Sequence, residues 1–129
     1  MLITVSSFKK IEEIKAWIKA RELTREIYQI TNQKPFANDY ALRDQIRKTC
    51  ISIMSNIAEG FERDKPNEFA YFLRIAKGSA GEVRAQLYIA LDQNYIDDEI
   101  FNRLHSLASE IAQMLKGLIN YLVNNEVEG

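Results

Sequence analysis

Helix breakers are scarce in this chain of 129 residues, which holds two prolines and five glycines. Long helices can run without interruption, because inside a helix Pro costs roughly 3 kcal/mol and Gly about 1 kcal/mol relative to Ala. A single cysteine, Cys50, excludes an internal disulfide. It sits among Ile46, Ile53 and Ile57 at helical spacing and reads as a small buried hydrophobe. The alternative, a reactive thiol, lacks a nearby helix N-terminus or His to lower its pKa. A single histidine, His105, excludes the paired Glu-x-x-His metal sites that helical bundles host, and position 102 is Asn. His105 stands between Leu104 and Leu107 and reads as a partly exposed helix-face residue rather than a catalytic base. No run approaches the roughly 20 apolar residues of a membrane span, and the start MLITVSSF has no basic n-region. The expectation is a cytoplasmic protein with no membrane partner. Phosphate-cradling glycine loops, nucleophile elbows and zinc spacings are missing too, which points away from an enzyme and from any cofactor or metal.

Apolar residues make up 47% of the chain and charged residues 27%, a folded composition, and the length suits one domain spanning residues 1–129. The formal net charge is −1 but unevenly placed: fifteen cations face twelve anions over residues 1–93, and two face six over residues 94–129. Four apolar periodicities of mixed three and four spacing predict helices over about 11–32, 39–62, 66–92 and 97–125. The first carries Trp17, Ala20, Leu23, Ile27, Tyr28 and Ile30 and stops before Pro35, which cannot continue a helix. The second enters through Asn38 or Asp39 as N-cap, with Leu42, Ile46, Cys50, Ile53, Ile57 and Phe61 on one stripe. Ile51, Met54 and Ala58 add a neighbouring stripe, which predicts burial by two sets of neighbours. Pro66 suits the first turn of the third helix, whose inner face carries Phe69, Phe72, Leu73, Ala76, Ala80, Val83, Leu87 and Ala90. Asp97 caps the fourth, and the last five residues are expected to fray. Short connections force each helix back along its predecessor, so the pattern predicts an all-α, antiparallel up-down-up-down four-helix bundle.

Two polar clusters interrupt these apolar helices. In the first, Asn56, Glu59 and Arg63 share one face, with Glu59 and Arg63 spaced to pair. The second is Ala76-Lys77-Gly78-Ser79-Ala80-Gly81-Glu82, whose glycines need a compensating reason, usually a close helix crossing. One reading is a structural seam in which Gly78, Ser79 and Gly81 let helix three approach helix two while Asn56, Glu59, Ser79 and Glu82 hydrogen-bond across it. The other is a small-ligand or enzyme pocket at the same place. Among the basic residues, Arg43, Arg47, Lys48, Arg63 and Lys65 are the candidates for phosphate or partner contact, with Arg74 and Lys77 on helix three nearby. Asp39, Asp44, Glu62, Asp64 and Glu68 are interleaved with them, so a solvated mixed-charge surface is the competing reading.

The run over residues 45–60 (QIRKTCISIMSNIAEG) is followed by Arg63, Glu68-Phe69, the stretch FLRIAKGSAGE ending at Glu82, and Asn94-Tyr95-Ile96. Together these resemble the four-helix-bundle proteins encoded by intervening sequences in bacterial 23S ribosomal RNA genes. Trp17, Ala20, Tyr28, Pro35-Phe36 and the segment 114–119 fit as well, so the resemblance covers about residues 8–122. Two departures stand out: Lys65, where the family tends to place a serine cap, and Gly81, where a larger residue is more usual. The resemblance implies a left-handed bundle, a homo-oligomer that is a pentameric ring, and no known catalytic activity. A related protein, the accessory variability determinant of diversity-generating retroelements, uses a basic surface to engage nucleic acid and a reverse transcriptase. The leading reading is thus a non-enzymatic ring acting as an RNA-associated factor or scaffold. Its rivals are a protein-interaction module for a polymerase-like partner and a ligand site at the helix two–helix three seam.

Overall fold

The computed structural model describes residues 8–128, with side chains through residue 124. The apolar start over residues 1–7 lies outside the described residues. Four helices follow in order: α1 Lys15–Thr31, α2 Tyr40–Phe61, α3 Pro66–Asp92 and α4 Asp98–Glu128. Short 3-10 turns precede the first two, at Ile11–Glu13 and Phe36–Asn38.

Local chemistry sets most boundaries. Asp39 accepts the Leu42 N–H at 3.1 Å and Asp97 accepts the Ile100 N–H at 2.9 Å, so each satisfies an otherwise orphaned donor of a first turn. Lys65 is extended and makes no capping hydrogen bond, which leaves Pro66 to open α3 with a preset φ and no N–H to satisfy. Asp64 and Asn94 turn the chain after α2 and α3 at φ 64° and 61°, the left-handed region that short polar side chains tolerate best after glycine. Two ends differ from expectation. The helical pattern around Ile11 is interrupted because Ile14 is extended and buried, so α1 proper begins at Lys15. α4 continues through Glu128 instead of stopping near residue 125.

Cross-helix contacts establish antiparallel neighbours: Glu26 with Arg103 and Lys19 with Glu110 between α1 and α4, and Thr49 with Gln86 and Ser52 with Ser79 between α2 and α3. α1 packs on α2 and α4, α3 packs on the same two, and α1 and α3 occupy opposite corners. The core follows the predicted stripes. Leu23 and Ile27 meet Ile46, Ile53 and Ile57, then Phe69, Leu73 and Leu87, then Leu104 and Ile111, all fully buried. Each such side chain contributes about 1.5–3 kcal/mol through removal of apolar surface from water. The second stripe on α2 behaves differently: Met54 and Ala58 are only half-buried and Ile51 stays 46% exposed, so one chain does not supply the second neighbour its breadth implies. Phe72, read as inner-facing, is also only half-buried.

Candidate functional site

The α2–α3 seam is built from hydroxyls and amides one helical turn apart. Ser52 and Ser79 hydroxyls lie 2.9 Å apart across it. Asn56 donates to the Ser52 carbonyl at 2.8 Å and to its hydroxyl at 3.1 Å, so it joins the seam through Ser52 rather than by reaching α3. Further along, Gln86 Nε2 donates to Thr49 Oγ1 at 3.1 Å while the Thr49 hydroxyl donates to the Gln45 carbonyl at 2.8 Å. That chain fixes the amide orientation and leaves Gln86 Oε1 buried without a partner. An open polar hollow of about 180 Å³ sits above these groups, with Lys48 and Glu82 on its two walls. Glu59 is elsewhere: it is exposed and accepts from Arg63 at 2.8 Å.

The glycines of α3 do not make the close helix crossing expected of them. A Cβ at Gly78 would meet nothing within 4 Å, and one at Gly81 only Arg84 Nη2 at 3.5 Å. Neither glycine lets α3 approach α2. The close crossing is at Gly60, where a Cβ would come within 2.9 Å of Phe69 Cδ1 and of Phe72 Cβ. Spacing showed that α3 holds glycines, but not that they face solvent and α4, while the tight contact belongs to the last turn of α2.

The five basic residues chosen from the sequence do not form one patch. Arg47 donates to Thr31 Oγ1 at 2.8 Å and to Asn32 Oδ1 at 2.9 Å, and its guanidinium lies 4.6 Å from the Tyr28 ring centroid. It thereby satisfies the end of α1. Arg43 donates to the Ala37 carbonyl at 3.1 Å and to Asp44 at 2.8 Å, over the Tyr40 ring. Arg63 is shared between Glu59 and Glu68 and covers Phe72, and Lys65 reaches Glu68 at 3.8 Å. Arg43 and Arg63 stand at opposite ends of α2, about 30 Å apart along its axis. Lys48, beside the hollow, is exposed between the two groups.

Cys50 is fully buried, and burial pushes its thiol up to about 12, with a side-chain hydrogen bond to Thr24 opposing the shift. The small-hydrophobe reading describes its place. His105 is partly exposed, packed in an aromatic trio with ring centroids 5.6 Å from Tyr88 and 5.1 Å from Phe101. Among the described residues no three His, Cys, Asp or Glu side chains converge as metal ligands, and no helix is long and apolar enough to cross a membrane.

Residues 12–117 match the family model of the 23S rRNA-intervening sequence protein. The chain belongs to this family. A solved structure from Bacteroides thetaiotaomicron VPI-5482, a protein of unknown function from the S23 ribosomal protein family, is 23% identical. It covers 81% of this chain and 95% of its own, with a TM-score of 0.75, and so shares the fold. No functionally curated protein matches the chain.

In this 23S rRNA-intervening sequence protein the Asn-Ile-Ala-Glu-Gly stretch, residues 56–60, supplies a seam amide, a core isoleucine and the close glycine crossing. The sequence reading noted Arg74 and Lys77 but missed Arg84 and Lys116, which complete a second set of cations. Arg74, Lys77 and Arg84 on α3 recur at spacings of three and seven on the edge toward α4, and Lys116 stands on α4 in the antiparallel register set by Tyr88 against Phe101 and His105. Among the described residues none of these four enters an ion pair. Arg84 Nε is buried and has no hydrogen-bond partner among the described residues. The available signal was the stripe 74, 77, 81, 84, 88 on one helix, which a search for local charge clusters passes over.

Proposed function

We propose that this family member is a non-enzymatic, RNA-associated factor or scaffold, assembled as a homo-oligomer of five copies in a ring. The observation that carries the RNA part is the division of its cations. Arg43, Arg47 and Arg63 are committed to helix ends and carboxylates, whereas Arg74, Lys77, Arg84 and Lys116 share one edge and, among the described residues, have no carboxylate partner. Uncommitted cations on a near-neutral protein suit a phosphate backbone, whose binding is driven by counterion release. The family's link to ribosomal RNA genes supports the same direction. Lys48 and Lys65 remain phosphate contacts in this reading, while Arg43 and Arg47 serve the scaffold. The ring draws its support from Ile51, Met54 and Ala58, an apolar strip that one chain leaves half-covered.

Native mass spectrometry of the purified protein at low ionic strength, with an RNA oligomer added, tests both parts together. Five copies retaining RNA are expected, with an Arg74→Glu/Lys77→Glu variant keeping five copies and losing the RNA. A bare monomer overturns the ring, and a parent that retains no RNA overturns the RNA part. A second reading, a protein-interaction module for a polymerase-like partner, is favoured by the same exposed apolar strip. Under it, charge reversal leaves RNA behaviour unchanged and substitution of Ile51 abolishes partner capture.

A further inference from the structure

The α3–α4 edge carries more than charge. Tyr88 is 52% exposed and packs its ring at 4.8 Å from Phe101, beside the partly exposed His105. The cationic stripe runs from this aromatic corner along the same edge. Gly81 lies within the stripe and adds no side chain, and a Cβ there would press only on Arg84. Three acidic residues of the flanking helices are engaged elsewhere: Glu68 pairs with Arg63 and Lys65 on the α2 side, Glu82 lines the α2–α3 hollow, and Glu110 pairs with Lys19 on the α1 side. Asp92 and Asp98 stand at the loop end, one helical turn in sequence from Tyr88 and Phe101 and away from Arg74, Lys77 and Lys116.

We propose that this edge binds single-stranded RNA, with Arg74, Lys77, Arg84 and Lys116 on successive phosphates and Tyr88 with His105 as a platform for an unstacked base. The proposal rests on the RNA-associated reading above and adds the form of RNA. A duplex hides its base faces inside the stack and offers an exposed tyrosine ring nothing to pair with. A single strand presents both a backbone for the cations and π-faces for the ring, independent of sequence. An acidic peptide would satisfy the cations but leave the aromatic platform without a role.

The test is fluorescence anisotropy with a labelled 20-nucleotide RNA of mixed sequence, the same RNA as a duplex, and polyglutamate of equal length. The single strand should bind at least about tenfold tighter than the duplex. Tyr88→Ala should weaken single-strand binding about 5- to 100-fold, the loss of one stacked base, without changing the salt dependence. Tyr88→Phe should bind as the parent does. Should Tyr88→Ala lower the melting temperature, Tyr88→Leu keeps apolar packing against Phe101 while removing the aromatic face, and carries the same expectation. Duplex bound as tightly as single strand, or a leucine variant binding like the parent, overturns the platform and leaves RNA association standing. Polyglutamate binding in preference to RNA overturns it in favour of a protein partner. A parent that binds no RNA removes the underlying reading itself.

Discussion

At position 60 any side chain must displace Phe69 or Phe72, whereas at position 78 it would enter open space. Two substitutions of the same kind should therefore act in opposite directions. Gly60→Ala forces aromatic rings and an α3 carbonyl to move and should destabilise the fold by about 1–3 kcal/mol, the usual range for overpacking. Gly78→Ala should stabilise it by up to about 1 kcal/mol, since it gains helix propensity at an ordinary helical φ. Urea midpoints of the two variants check both signs. Cys50 gives a second expectation at this scale. Its thiol is buried and raised to about 12, so a thiol reagent at pH 8 should leave it unmodified in the native protein and react once urea unfolds the chain. These single-residue environments were only partly legible in the sequence. The spacing 46, 50, 53, 57 placed Cys50 in the core, but no local pattern says which neighbour a glycine faces.

Elements are joined at the loop end by residues distant in sequence. Asp39 caps α2 with Oδ1 and accepts the Tyr95 hydroxyl with Oδ2 at 2.9 Å, while the Tyr95 ring stacks on Phe36 at 5.0 Å. One carboxylate thereby ties the first connection to the third. The hydrogen bond to Asp39, with burial and the Asp39 charge adding to it, raises the Tyr95 pKa above its ordinary value. A group whose folded pKa is raised contributes stability that is complete below the unfolded value of about 10 and is lost as pH rises through the folded value. The melting temperature of the parent should thus fall more steeply as pH rises above about 10 than that of Tyr95→Phe. Equal slopes would show that the contact is not maintained in solution. Helix positions were readable because their signals are local: Asp39, Pro66 and Asp97 act within one turn. The Tyr95–Asp39 and Arg47–Thr31 contacts span 56 and 16 residues and left no such trace. For that reason the sequence offered Arg47 as a candidate phosphate contact and gave no sign that its guanidinium also clasps the end of α1. Apolar spacing allowed α1 to start near Ile11 or Ile14, and the extended backbone of Ile14 sets the start at Lys15.

At the scale of the whole molecule, charge is sorted by face. Carboxylates neutralise the cations at both ends of α2 and between α1 and α4, while among the described residues the four cations of the α3–α4 edge enter no ion pair. A net charge of −1 conceals this arrangement, and so does a count along the chain, because Lys116 joins the stripe only through antiparallel packing. In the proposed function these cations engage RNA phosphates. The most direct test is the salt dependence of RNA binding by the parent and by an Arg74→Gln/Lys77→Gln/Lys116→Gln variant. Removing three phosphate contacts to a single strand should lower the slope of log affinity against log salt by about 2, together with at least a tenfold loss of affinity at low salt. Parent-like slope and affinity in the variant would place RNA contact, if any, on another face and contradict the account.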